Sequence, residues 1–206
     1  RVDKIELSLS VGEMEAEVMY VFPKDEIRSV GKLPRPVLAE PFALTIVMRK
    51  YFGSFVSAWI AGYANSWSAV GMNVYSADWH HLQLYLRAVG VRGFDADLKC
   101  MDGSVHPEMV RQAINAINRW YDSHSDSDAA VDNRKRRLLG ENVVFSPLAV
   151  GSKIYLKCNA INTGGFLTTF LNCFALSAYI VGSYVTIWPT LPVAKRSLEY
   201  FRRNVR

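Results

Sequence analysis

The chain has 206 residues, 24 Lys+Arg against 19 Asp+Glu for a formal net charge of +5, and 50% hydrophobic residues, a composition that excludes a disordered or collagen-like polymer. Its length suffices for one large domain with a sizeable core, and a pI near 9.1 permits a polyanionic partner without requiring one. Three separated cysteines, Cys100, Cys158 and Cys173, exclude a disulfide framework and a four-ligand zinc site and suit a reducing compartment. The N-terminal Arg1–Glu6 has neither an apolar core nor a small-residue cleavage site, so no signal peptide is expected, and the sequence reads as an excerpt of a longer chain. Glu15–Phe22 predicts a strand that leads into a basic loop, Pro23–Pro36, and Pro41–Ile60 predicts a helix interrupted at Gly53. A second helix is expected over Asp78–Val89, followed by a strand over Val91–Leu98 that ends in acidic residues. Pro107–Tyr121 is amphipathic, with Pro107 in its first turn and Val110, Ile114, Ile117 and Tyr121 on its inner face. Asp122–Arg137 is the most solvated stretch and reads as a linker or insertion, and two short strands, Val143–Ser146 and Lys153–Lys157, flank Pro147 and Gly151. The uncharged stretch Cys158–Ala194 is long enough to span a bilayer. It carries Thr168, Thr169, Asn172 and Ser177, whose polar groups would need internal partners in hydrocarbon, so a helix buried in a soluble protein is expected and no transmembrane span.

Three segments carry chemistry. The run Phe94-Asp95-Ala96-Asp97-Leu98-Lys99-Cys100-Met101-Asp102-Gly103-Ser104 presents carboxylates at a strand-to-helix junction, where they can hold a magnesium ion beside phosphates or cap the helix. The run Asn162-Thr163-Gly164-Gly165 feeds a helix on which Thr168 and Asn172 stand four apart, so backbone donors and two polar side chains lie along one line. An N-terminal cap with ordinary buried polar groups accounts for it equally. The loop Phe22–Arg35 holds Lys24, Arg28, Lys32 and Arg35, which suit phosphate oxygens or simple solvation; Gly31-Lys32 is followed by Leu33, so it is no Walker A loop.

Taken in order, these segments resemble motifs F, A and B of viral RNA-dependent RNA polymerases of the picornavirus-like group. Lys24-Asp25-Glu26-Ile27-Arg28 is similar to the opening of motif F, and Tyr51-Phe52-Gly53 and Ser68-Ala69-Val70-Gly71-Met72-Asn73 resemble two further signatures between F and A. The resemblance implies an α+β right-hand polymerase fragment with a partial antiparallel palm sheet and packed helices. Fingers would occupy mainly 1–89, palm with motif A 90–121, a fingers excursion 122–156 and palm with motif B 157–206, with no thumb. It implies that Asp97 is the catalytic, metal-binding aspartate and that Asp102 senses the ribose 2′-hydroxyl together with Asn172. Thr163 and Gly164 then correspond to the mobile loop of motif B, Thr168 to its helix partner of Asn172, and Lys24, Arg28 and Arg35 to the cations on the triphosphate.

The implied cofactor is Mg2+, with Mn2+ as an alternative, and the implied partners are RNA template, nascent RNA, ribonucleoside triphosphates and other viral replication proteins. The implied setting is the host cytoplasm, at membrane-associated replication complexes. Three departures stand out: Thr163 replaces a serine, the motif F loop is short, and the sequence contains no Gly-Asp-Asp. The expectation is therefore a fragment that lacks motif C and is inactive alone; the alternative is a non-catalytic RNA-binding module from a truncated or decayed polymerase.

Overall fold

The computed structural model describes residues 1–91, 93, 95–124 and 129–204. In chain order the elements are α1 (Val2–Val11), β1 (Met19–Pro23), β2 (Pro36–Ala39), α2 (Phe42–Ala61), α3 (Asp78–Arg87), α4 (Met101–Ser104), α5 (Pro107–His124), α6 (Ala129–Val144), β3 (Pro147–Val150), β4 (Lys153–Leu156), α7 (Thr168–Ile187) and α8 (Leu198–Asn204). They form two compact units, one of Arg1–Val56 with Cys100–Asn172 and one of Ser57–Lys99 with Cys173–Arg206.

The first unit is a mixed four-stranded sheet with helices. Its strand order is β2-β1-β3-β4, with β1 antiparallel to β2 (Tyr20 opposite Ala39), parallel to β3 (Met19 opposite Leu148), and β3 antiparallel to β4 (Leu148 opposite Tyr155). All four strands fall within 1–89 and 122–156, the segments expected as fingers, and among the described residues 90–121 and 157–204 contain no strand of the expected antiparallel palm sheet. The β1–β2 hairpin gains one further rung where Lys24 N–H donates to the Arg35 carbonyl at 2.8 Å, so the basic loop hangs from a closed ladder.

The helices pack by their apolar stripes. In α2, Leu44, Val47, Met48, Tyr51, Phe52 and Phe55 recur at helical spacing and are buried. The expected break at Gly53 does not occur, because nothing crowds that position and a single glycine costs a helix only about 1 kcal/mol. Helix α5 buries Val110, Ala113, Ile114 and Ile117, with Tyr121 half-buried. Gly140 of α6 faces Ile114, and a Cβ there would stand 2.8 Å from the Ile114 side chain, so these two helices meet at glycine distance. An aromatic cluster of Phe55, Trp120 and Phe170 fills the adjoining core, with ring centroids 4.9–5.6 Å apart.

Several expectations are corrected. The expected linker Asp122–Arg137 is helical at both ends, in α5 and α6, with residues 125–128 outside the described set. Arg136, 4% exposed, donates from Nε to the Tyr51 carbonyl at 2.8 Å and lies 3.5 Å above the Tyr121 ring. A guanidinium paired to backbone and aromatic face can be buried where an ammonium would not be, which a charge count does not reveal. The strand expected over Val143–Ser146 begins instead at Pro147, because Val143 and Val144 complete α6. Val91, Gly93 and Asp95–Leu98 adopt no strand; their unit contains none among the described residues, and a lone strand leaves its ladder groups unpaired. The expected buried helix is α7, but only its first turns are buried, through Phe170, Leu171 and Ala175. Of the stretch Thr168–Thr190, long and apolar enough by length and composition to cross a membrane, 17% of the most apolar window is buried.

In the second unit, α3 starts at Asp78, whose carboxylate accepts the Asn73 N–H at 3.0 Å, and Ser68 donates to Cys173 Sγ at 3.6 Å. Gly71, with φ +109°, comes so close to the Ile60 carbonyl that a side chain would collide with it.

Candidate nucleotide-binding site

The cations of the basic loop are gathered by one carboxylate. Arg35 binds Glu26 through two nitrogens, with Nε donating to Oε1 at 2.8 Å, while Arg28 and Lys24 approach the same carboxylate at 3.6 and 3.9 Å. The hydrogen bond from Arg35, and then the charges of Arg35, Arg28 and Lys24, hold the Glu26 carboxyl below its usual range. Arg28 also donates to the Leu33 carbonyl, and a turn in which Lys32 N–H donates to the Ser29 carbonyl at 3.1 Å places Gly31 at φ +86°. Lys24, Arg28 and Arg35 thus share one end of the hairpin, with Lys24 and Arg35 half-exposed or more.

The glycine loop leans on β2. Thr163 Oγ1 accepts the Leu38 N–H at 2.8 Å, and Gly164 N–H donates to the Leu38 carbonyl at 2.9 Å, which makes a parallel bridge between Ala39 and Gly164. Both glycines sit close to β2 and its end: a Cβ on Gly164 would stand 3.0 Å from the Leu38 carbonyl oxygen, and one on Gly165 would stand 2.5 Å from Glu40 Oε1 and push that side chain aside. Thr168 opens α7, and its hydroxyl accepts the Gly165 N–H at 3.1 Å and reaches the Asn162 and Gly165 carbonyls, so it closes the loop on itself.

One turn further along α7, Asn172 Nδ2 donates to Asp102 Oδ1 at 2.6 Å. Asp102 sits in the first turn of α4, whose backbone is tied to the segment before the loop by Ile161 N–H on the Asp102 carbonyl (2.9 Å) and Ala160 N–H on the Val105 carbonyl (3.3 Å). Asn172 Oδ1 is buried without a partner. The chain turns into α4 through Cys100, held at φ +56°.

Asp97 lies in the other compact unit, exposed and outside any regular element, as does Asp95. Its carboxylate is a hard oxygen donor of the kind magnesium takes. Among the described residues, however, no group of three His, Cys, Asp or Glu side chains could hold a metal ion, so the residues present do not make a metal centre by themselves.

A profile of the viral RNA-dependent RNA polymerase family matches residues 4–185. The chain belongs to that family. It is 28% identical over 156 residues to the genome polyprotein of Rice tungro spherical virus (strain Vt6), covering 73% of this chain and 4% of the polyprotein. It is also similar to the replicase polyprotein of Cricket paralysis virus, 26% over 192 residues (88% of this chain, 11% of that one). With the genome polyprotein of human hepatitis A virus it shares 24% over 181 residues (85% and 8%). The polymerase chain therefore spans about a tenth or less of these picorna-like relatives, and its mixed α+β fold is compatible with a partial polymerase domain.

Sequence reasoning did not single out Glu26, Glu40 or Lys157 as parts of the site. Glu40 and Lys157 carry a faint signal as single charges beside apolar runs, between Val37-Leu38-Ala39 and Phe42 and between Leu156 and Ile161. Only the fold shows that both lie under the glycine loop.

Proposed function

We propose that this chain is the nucleotide-selecting part of a viral polymerase that copies RNA into RNA from ribonucleoside triphosphates. The observation that carries the reading is the 2.6 Å hydrogen bond between Asn172 and Asp102, two side chains 70 positions apart in sequence. It prepares a carboxylate oxygen and an unpartnered amide oxygen, Asn172 Oδ1, as acceptors for a sugar hydroxyl. Binding there favours ribose over deoxyribose, because a sugar without the hydroxyl leaves the buried Asn172 Oδ1 unpaired.

Lys24, Arg28 and Arg35, preorganised on Glu26, neutralise the triphosphate as charge shifts to the leaving pyrophosphate. Thr163 and Gly164 form the adjustable loop beside the nucleotide, and Thr168 anchors it to α7. Asp97 would be the catalytic aspartate and would supply one ligand to Mg2+ or Mn2+, whose chemistry would be activation of the attacking hydroxyl and stabilisation of the leaving group. In this reading 1–89 are mainly fingers, 90–121 and 157–206 palm, and 122–156 a return to fingers. RNA template, nascent RNA and further viral replication proteins are the partners, in the host cytoplasm at membrane-associated complexes.

Single-nucleotide incorporation by the full polypeptide carrying this chain tests the assignment. Asp102→Ala is expected to reduce discrimination against deoxyribonucleotides about tenfold, the effect of one charge-assisted hydrogen bond. Asp97→Ala is expected to abolish incorporation of both. Equal loss of ribose and deoxyribose incorporation in Asp102→Ala would refute the sugar-recognition role, and full activity of Asp97→Ala would refute the catalytic one.

A further inference from the structure

Beneath the Thr163–Gly165 loop lie two buried polar side chains, Lys157 and Asn162, and the half-buried Glu40, none of which the nucleotide-binding set includes. Glu40, the residue after β2, accepts the Phe166 N–H through Oε2 at 3.3 Å, and its Oε1 fills the space over Gly165. Lys157, 8% exposed, donates from Nζ to Asn162 Oδ1 at 2.6 Å and to the Val143 carbonyl at 2.5 Å. Asn162, 1% exposed, also receives Ser146 Oγ at 3.4 Å on the same oxygen, while its backbone carbonyl takes the Gly165 N–H at 3.0 Å. Its Nδ2 makes no full hydrogen bond but is close enough to favour the Glu40 carboxylate, as is the Lys157 charge. Burying the Lys157 ammonium beside a half-buried carboxylate costs desolvation energy, and apolar side chains of the same volume stabilise a fold as well or better. What the polar pair supplies is direction: Glu40 Oε2 meets the Phe166 N–H, and Lys157 Nζ ties the side chain of Asn162, the residue that opens the loop, to the Val143 carbonyl of α6.

The strand that leads into this brace also adjoins Arg35, through whose backbone Lys24 is paired. Arg35 immediately precedes β2 and Glu40 immediately follows it, while Leu38 between them holds Thr163 and Gly164. A shift of β2 therefore moves the triphosphate cations and the loop together.

We infer that Glu40 and Lys157 are positioning residues that set the glycine loop against β2 and so fix its place beside the incoming ribonucleotide. This rests on the polymerase reading only for its effect on nucleotide use; the bracing of the loop stands apart from it. Amide hydrogen exchange of the full polypeptide, compared with its Glu40→Gln and Lys157→Met variants, measures the bracing directly. Peptides covering 163–167 are expected to exchange about tenfold faster in each variant, with those from α5 unchanged. In elongation assays both variants are expected to raise the KM for ribonucleoside triphosphate with kcat retained.

Unchanged exchange over 163–167, or faster exchange spread equally through α5, overturns the inference. A KM that stays at the wild-type value while the loop loosens also overturns it, because the brace would then not serve the nucleotide. If the wild-type polypeptide incorporates no nucleotide while the loop still responds, the polymerase reading fails and the brace stands. Should Glu40→Gln not fold, Gly165→Ala asks the question from the loop, since its Cβ must displace the Glu40 carboxylate; unchanged exchange there is equally fatal.

Discussion

Lys157 is the residue whose charge costs the fold most visibly. Burial lowers its pKa from 10.5 to about 8, opposed by the neighbouring Glu40 carboxylate. The unfolded chain, titrating near 10.5, therefore binds more protons than the folded one between these values, and stability rises with pH across that window. The whole rise is about 3 kcal/mol, and it is complete once the unfolded lysine has also lost its proton. A neutral amine keeps two donors for Asn162 Oδ1 and the Val143 carbonyl, so the network survives the titration. Denaturant midpoints at pH 7.5 and pH 9.5 are expected to show about 2 kcal/mol of this rise in the wild type and none of it in Lys157→Met. Equal slopes in the two proteins would mean that the ammonium is solvated. Tyr51, pushed up to about 12 chiefly by burial and by its hydrogen bond to Glu6, acts in the opposite sense only above pH 10, outside that comparison.

Helix interiors contain two glycines whose substitution is expected to have opposite signs. Gly53 of α2 has open space where a Cβ would stand, so Gly53→Ala should stabilise by about 0.5–1 kcal/mol through backbone entropy alone. A Cβ at Gly140 of α6 would stand 2.8 Å from the Ile114 side chain, so Gly140→Val should destabilise by about 1–3 kcal/mol by overpacking the α5–α6 contact. A second change, Ile114→Ala, should recover part of that loss, which separates crowding from the lower helix propensity of valine. Urea unfolding of the four proteins measures all of this, and a stabilised Gly140→Val would show that the helices stand further apart. At the same scale Glu26 organises an element: Glu26→Gln makes the hairpin loop more positive yet releases Arg35, Arg28 and Lys24. If preorganisation governs, the KM for nucleotide rises; if net charge governs, it falls.

For the molecule as a whole, the proposed reading makes Asp97 one half of the carboxylate pair of a two-metal polymerase, and the sequence contains no Gly-Asp-Asp. The 206 residues alone are accordingly expected to bind RNA and nucleotide but to incorporate none, and incorporation by the isolated chain would contradict that. RNA affinity should fall steeply with salt, because a chain of net charge +5 releases counterions on binding, and a flat salt response would argue against a phosphate-tracking surface. Much of α7 is exposed, with Ile180, Val185 and Ile187 each 39–47% accessible. An apolar surface of this kind makes self-association of the isolated chain the expected behaviour in sedimentation.

Local order and residue type were legible without a structure. The helices over Phe42–Ala61, Asp78–Arg87 and Pro107–His124 follow from apolar spacing and a proline in the first turn, and the order of basic loop, acidic segment and glycine loop was enough to indicate the polymerase family. These are properties of contiguous sequence, where periodicity and turn chemistry act over a few residues. The tertiary structure alone decided the rest: the burial of Arg136, the start of β3 at Pro147, the coil over Asp95–Leu98, and the brace of Glu40, Lys157 and Asn162 under the loop. Each depends on partners far away along the chain, 85 positions for Arg136 and the Tyr51 carbonyl and 126 for Glu40 and Phe166. A charge is buried or solvated, and a strand forms or does not, according to what packs against it, and that is a property of the folded chain.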